Sequence, residues 1–185
     1  MDNDVSAGGT TSTAGRLALG ITLLAFGLGY TDVIDGVTAA DAVSIAHYIG
    51  GVALFVAGLF ALRERDAASG TAFTVLGALW FTWAVTDAGS ANAAGLFYLL
   101  FALVVLSLAA ADGDQLTRGT YGLFLVGLVL MAVAAFADSG GLAKAGGWFA
   151  VAAGAVAWYA ATAALAHWPT VLPRRAARRG VTAAG

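Results

Sequence analysis

Residues 93–111 read AAGLFYLLFALVVLSLAAA and contain no charged side chain over 19 consecutive positions. A helix rises about 1.5 Å per residue, so about 20 residues cross a hydrocarbon core about 30 Å thick. Strands of a membrane β-barrel would instead alternate apolar and polar residues in shorter segments. This stretch therefore predicts one transmembrane α-helix.

Five further apolar runs have similar lengths, between 18 and 22 residues. In the whole chain 60% of the residues are hydrophobic and only 11% are charged, whereas soluble domains have about 25% charged residues. We therefore predict an all-α integral membrane protein, with six transmembrane helices in one bundle. The other five predicted spans are residues 17–34, 42–62, 70–88, 119–137 and 147–168.

The nine basic residues orient these spans, because eight of them fall on one side of a six-span chain. Positive charge near span ends stays in the cytoplasm. We therefore predict a multi-pass protein of the cell (plasma) membrane with both termini cytoplasmic. Lys144 alone lies on the outer side. The eight residues of the inner side are Arg16, Arg63, Arg65, Arg118, Arg174, Arg175, Arg178 and Arg179.

The polar segments at the two ends divide the chain into three parts. Residues 1–15 are small and polar and lack the basic start and apolar core of a signal peptide. We predict a disordered cytoplasmic N-terminus over residues 1–15, a six-helix transmembrane domain over 16–168 and a basic cytoplasmic tail over 169–185. Pro169 and Pro173 end the last span.

The composition argues against metal, cofactor and enzyme chemistry. Cysteine is absent, and the two histidines, His47 and His167, fall at levels that differ by roughly 20 Å, so they cannot ligate one metal. No charged residue falls at the middle of a span. We find no set of residues arranged for catalysis and therefore expect that the protein is not an enzyme. We also expect no cofactor, no metal site and no nucleic-acid partner. Neutral hydroxyls and aromatic rings inside the spans suit a small, weakly polar solute.

Spans two and three carry a pattern that resembles the acetate uptake transporter family, also called the succinate–acetate permease family. That family shows a Gly-Gly pair, an Ala-Gly-Leu near the inner end of span two, a basic loop and then Thr-Ala-Phe with aromatic residues. The matching residues here are Gly50, Gly51, Ala57, Gly58, Leu59, Arg63, Thr71, Ala72, Phe73, Thr74, Gly77 and Trp80.

The resemblance implies a urea-channel-like bundle of six transmembrane helices around a central pore. Such chains assemble as a homo-oligomer, commonly a hexamer, and conduct acetate or related monocarboxylates. It places a hydrophobic pore constriction at Ile21, Leu76 and Phe124. Candidate pathway-lining residues in span three are Thr71, Phe73, Thr74 and Trp80.

Span one departs from the family pattern. Members usually begin it with Asn-Pro-Ala-Pro-Leu-Gly-Leu, whereas residues 13–20 here read TAGRLALG. The leading hypothesis is a transporter or channel for acetate or a similar small carboxylate, crossing with a proton. One alternative is a channel for a neutral solute such as urea, ammonia or water. Another is a non-transporting membrane scaffold whose basic tail binds anionic lipid or a protein partner.

Overall fold

The computed structural model describes residues 8–86, 89–111 and 113–168. These residues form α-helices without any β-strand, and six helices are long and apolar enough to cross a membrane. The prediction of six helical spans is confirmed; the predicted basic tail, residues 169–185, lies outside the described residues. The spans are Gly8–Thr31 (span one), Ala39–Arg63 (span two), Ala67–Val85 (span three), Ala91–Ala110 (span four), Gln115–Ala137 (span five) and Gly140–Leu165 (span six).

Side-chain caps fix where four of these spans begin. Asp66, Ser90, Asp114 and Ser139 each precede a span and accept a hydrogen bond from a backbone N–H of its first turn. Such caps satisfy N–H groups that have no partner inside the helix. Short polar connections therefore end one span and start the next, which returns the chain across the bundle each time.

Span one begins earlier than the sequence predicts. Its helix starts at Gly8, so residues 8–15 belong to the span, although we assigned them to a disordered terminus. The Thr11 hydroxyl donates a 2.7 Å hydrogen bond to Glu64, and the hydroxyl oxygens of Ser12 and Ser69 lie 3.3 Å apart. These contacts hold the polar turns of span one against the end of span two and the first turn of span three.

The spans pack around one axis in the order three, two, one, six, five, four. Spans three and four close this ring through side chains, since the Trp80 and Phe101 ring centroids lie 5.4 Å apart. The middle of the bundle is filled by apolar side chains that are at most 2% exposed. They include Leu23, Phe26, Leu76, Trp80, Phe101, Phe124, Leu128 and Met131.

Spans one and six approach each other at two pairs of glycines. A Cβ built on Gly27 would lie 2.6 Å from the Gly147 carbonyl oxygen, and one built on Gly154 would lie 2.9 Å from the Gly20 carbonyl oxygen. Real Cβ atoms do not reach such distances, so the backbones touch only because side chains are missing. Small residues allow this close approach in lipid, where apolar burial gives little driving force between helices.

Span two contains a π-helical segment, Ala46–Ala53, between two α-helical parts. The sequence predicts an uninterrupted helix here, because π turns leave no clear mark on hydrophobic periodicity. Gly50 of this segment faces Trp80 of span three, and a Cβ built on it would lie 3.1 Å from the indole Cγ. Insertions of this kind are frequent at functional sites, and this one lies against the centre of the bundle.

Candidate functional site: a cavity on the bundle axis

A cavity of about 460 Å³ lies at the end of the bundle that carries Arg16 and Arg118. Spans one, three, five and six contribute most of its wall, together with the connection before span five. Its rim is polar and its deeper wall is apolar. Lining residues include Arg16, Ser69, Thr71, Asp114, Thr117 and Arg118 near the rim, and Leu19, Phe73, Tyr121 and Ala157 deeper in the bundle.

An ion pair lies at the mouth of this cavity. The Arg16 guanidinium and the Asp114 carboxylate are 3.2 Å apart, and Thr117 donates to the same carboxylate through its N–H and its hydroxyl, each at 2.9 Å. Burial raises the pKa of the Asp114 carboxyl, but the hydrogen bonds from Thr117 and the charge of Arg16 together lower it by more. Asp114 is therefore ionised at neutral pH and links span one to span five.

Replacing Asp114 with Ala is expected to lower the free energy of unfolding by about 1 kcal/mol at pH 7, because the first turn of span five loses its cap. The folded-state pKa lies below the ordinary 3.8, so this contribution is present above pH 4 and is lost as the pH falls through the folded value. Thermal unfolding in detergent at pH 7 and pH 3 measures both effects.

Asp114→Asn is the matched control, because Asn keeps the capping oxygen but removes the charge. We expect its stability at pH 7 to lie between the wild type and Asp114→Ala. A wild-type protein and an alanine variant that remain equally stable at pH 7 would contradict the role of this cap.

The predicted constriction residues are only partly brought together. Leu76 and Phe124 are at most 1% exposed and belong to the same buried cluster at the bundle centre. Ile21 is 42% exposed and points away from the axis. Consecutive helical residues turn by about 100°, so the buried Leu19 and Leu23, each two positions away, occupy the inward face. Ile21 therefore does not lie on the inward face where we predicted it, and Leu23 lies there instead.

The four predicted pathway residues of span three occupy three different environments. Thr71 and Phe73 line the cavity, and Trp80 lies deeper, in the closed centre. Thr74 does not line the cavity; it packs against Gly58 of span two. The small residue at position 58 opens a gap between spans two and three that the Thr74 side chain fills.

The residues of span one that depart from the family pattern lie at the mouth of the cavity. The Phe73 ring packs directly on Gly15, where any side chain would collide with it. The next residue, Arg16, then lies at the cavity rim beside Asp114. This segment of span one therefore brings a positive charge to the mouth of the cavity.

A cluster of aromatic residues beyond the cavity was missed as a site by the sequence analysis. Trp83 donates a 3.3 Å hydrogen bond to the Tyr98 hydroxyl, and the hydroxyls of Tyr98 and Tyr30 lie 2.9 Å apart. Phe26 packs among them. The helical spacing of Phe26 and Tyr30, four residues apart, marks them as one face of span one, but sequence spacing alone does not reveal which partner they meet.

Six spans packed in a ring around an axial cavity define a multi-pass helical membrane bundle. Within this class, the sequence model of the GPR1/FUN34/yaaH family matches residues 4–172, and the chain belongs to that family. The resemblance inferred from spans two and three is thereby confirmed.

Two known proteins show how far the similarity extends. The glyoxylate pathway regulator of Yarrowia lipolytica is 24% identical over 175 residues, which cover 86% of this chain. This chain spans 64% of that relative's length. The solved structure of the bacterial acetate channel SatP superposes with a TM-score of 0.76 at 23% identity, covering 88% of this chain and 97% of the SatP chain. That likeness establishes the common fold.

Proposed function

We propose that this chain conducts acetate or a related small monocarboxylate along the axis of its bundle. The observation that carries the proposal is the cavity at the Arg16 end, which leads inward to a closed centre of apolar and aromatic side chains. Membership of the GPR1/FUN34/yaaH family and the fold shared with an acetate channel support the same substrate class.

The charges of the cavity suit a small carboxylate. Arg16, Arg118 and the ionised Asp114 line the rim, and their net positive charge raises the local concentration of anions. Thr71 and Tyr121 add hydroxyl groups along the wall. A volume of about 460 Å³ accommodates acetate together with several waters. The mouth therefore collects small anions without binding them tightly.

The apolar centre of the bundle disfavours a charged solute. No charged side chain is buried among the described residues, and a bare charge in an apolar environment is strongly disfavoured. We therefore propose that the carboxylate crosses this level with a proton. Leu23, Leu76 and Phe124 form the proposed hydrophobic constriction, and they must move apart for a solute to pass.

Uptake of labelled acetate into proteoliposomes tests this function. At pH 8 almost all acetate is ionised, so passive entry of acetic acid through lipid is small and empty liposomes give the background. Flux above that background, dependent on a pH gradient and insensitive to membrane potential, is expected for proton-linked passage. Correctly folded protein without any acetate flux would overturn the proposal.

A channel for a neutral solute is the second candidate, because the same uncharged centre favours urea, ammonia or water. Urea flux in the same proteoliposomes, without acetate flux, would decide for it. The non-transporting scaffold predicts neither flux.

We further propose that the protein is a homo-oligomer of the plasma membrane, with the Arg16 end in the cytoplasm. The chain has no cysteine, so single cysteines report orientation directly. Gly140→Cys is expected to react with an impermeant maleimide in intact cells, whereas Gly113→Cys should react only after the cells are opened. Both glycines lie at span ends, where a Cβ meets nothing closer than 3.7 Å. The reverse pattern of labelling would contradict this orientation.

A further inference from the structure

Four side chains with hydrogen-bonding rings surround one phenylalanine, Phe26. The centroid of its ring lies 5.2 Å from those of Trp80 and Trp83, 5.0 Å from that of Tyr30 and 6.4 Å from that of Tyr98. Spans one, three and four supply these residues. The structure therefore concentrates two indole N–H groups and two hydroxyls in the half of the bundle opposite Arg16, next to the apolar centre.

Three of these groups form a hydrogen-bonded chain in which one hydroxyl hydrogen has no acceptor. Trp83 donates to the Tyr98 hydroxyl, and the Tyr98 and Tyr30 hydroxyls share one hydrogen bond. Two hydroxyls carry two hydrogens, and neither hydroxyl makes another hydrogen bond to a described residue. One O–H therefore remains available to an acceptor that enters the cluster.

The fourth group is a buried donor without an acceptor. Trp80 is 0% exposed, and its Nε1 lies within hydrogen-bonding distance of no acceptor among the described residues. The rings of Phe26, Trp83, Phe101 and Phe124 enclose the indole at centroid distances of 5.2 to 5.9 Å. A donor left unpaired in this way disfavours the closed state unless a ligand accepts from it.

We propose that this cluster is a subsite that recognises the carboxyl group of the permeating solute; the proposal rests on the function proposed above. The carbonyl oxygen of the protonated acid accepts from the Trp80 N–H, and its hydroxyl group forms a hydrogen bond with the Tyr30–Tyr98 pair, whose oxygens accept and whose free O–H donates. Phe26 fills the space between these groups in the closed state. Rotation of its ring admits the solute and aligns the donors with it.

The chemistry of the cluster suits a carboxyl group. Its carbonyl oxygen accepts hydrogen bonds, as the indole N–H requires, and its hydroxyl both donates and accepts, as the tyrosine hydroxyls do. The subsite thus recognises a carboxyl group by hydrogen bonding.

Trp80→Phe removes the indole N–H and keeps an aromatic ring at the same position. Its matched control is Trp158→Phe, on span six, whose indole is 48% exposed. Binding of ¹³C-acetate and of acetamide to the full chain in detergent is measured by NMR titration, and acetate flux is measured in proteoliposomes. Tyr30→Phe serves as the second variant, because it leaves the Trp83–Tyr98 hydrogen bond in place.

We expect Trp80→Phe to weaken acetate binding about tenfold, because a buried oxygen of the solute loses its hydrogen-bond donor. Acetamide carries the same carbonyl oxygen, so its binding should weaken by a similar factor. Tyr30→Phe should act in the same direction, and Trp158→Phe should leave both affinities unchanged. Equal acetate affinity in the wild type and in a folded Trp80→Phe variant would overturn the subsite.

Acetate binding tests the subsite, and acetate flux tests the transport function, so the two proposals can fail separately. Acetate binding that depends on Trp80 without any flux keeps the subsite and removes the transport function. Flux that is indifferent to Trp80 keeps the transport function and removes the subsite. If the wild type neither binds nor conducts acetate, both proposals fail.

Discussion

Gly154→Leu is expected to prevent the bundle from folding. A Cβ at this position would lie 2.8 Å from the Leu24 backbone nitrogen and 2.9 Å from the Gly20 carbonyl oxygen. Both atoms belong to the backbone of span one, so no rotamer change relieves the collision. Overpacking costs about 1–3 kcal/mol where side chains can yield, and we expect a larger loss here because span one itself must move away.

Gly122→Leu is the matched control on span five, since a Cβ at Gly122 meets no atom within 4 Å. Leucine forms helices better than glycine by up to about 1 kcal/mol, so the control should be as stable as the wild type or slightly more so. Size-exclusion elution and thermal unfolding in detergent measure both variants. A monodisperse Gly154→Leu protein with a wild-type melting temperature would show that spans one and six do not depend on this contact.

The six spans could be predicted from the sequence because membrane crossing depends on length and apolarity alone. A run such as residues 93–111 has no alternative in lipid except a helix, which satisfies its own backbone hydrogen bonds. The ends of the spans were harder to predict. Span six begins at Gly140 rather than at residue 147, because Ser139 accepts from Leu142 and the helix includes Lys144 before it reaches its apolar part.

The inward faces of the spans could not be predicted from composition. In a soluble helix the apolar side marks the core, but here almost every side of each span is apolar, because lipid and core accept the same side chains. Ile21 and Leu23 are chemically alike, yet Ile21 is 42% exposed and Leu23 is 0% exposed. Only helix packing, fixed by glycines such as Gly27, decides between them. In span three the family motif identified Leu76, which is buried. Span one departs from the family motif, so the sequence did not show which of its residues face inward.

The hydrogen-bonding cluster around Phe26 depends on the same packing. Its members come from spans one, three and four, and Tyr30 and Tyr98 are 68 residues apart in the chain. Aromatic residues with polar groups are visible in the sequence, but only their pairing in the fold determines which N–H group has no acceptor. Trp83 finds an acceptor and Trp80 does not, although the two tryptophans are one helical turn apart.

Ala160→Trp is expected to reduce acetate flux to the level of empty liposomes. Ala160 is 5% exposed and lines the axial cavity, whose volume of about 460 Å³ accommodates an indole without displacing the helices. The variant should therefore fold, insert into the membrane and melt like the wild type, while the indole fills the axial cavity and blocks the solute. This separates a block of the pathway from a loss of structure, which a tryptophan placed at the fully packed Leu76 would not do.

Ala155→Trp supplies the control on the same span, because Ala155 is exposed on the outer surface of the bundle. Its flux should equal that of the wild type in proteoliposomes of the same composition, measured at pH 8 with a fixed proton gradient. If Ala160→Trp conducts normally and Ala155→Trp does not, the solute crosses along the outer surface of the bundle, between copies of the chain. If both variants lose flux while remaining folded, the bulk of the tryptophan on span six is responsible rather than its position. Only selective loss at Ala160 locates the route on the axis of the single chain.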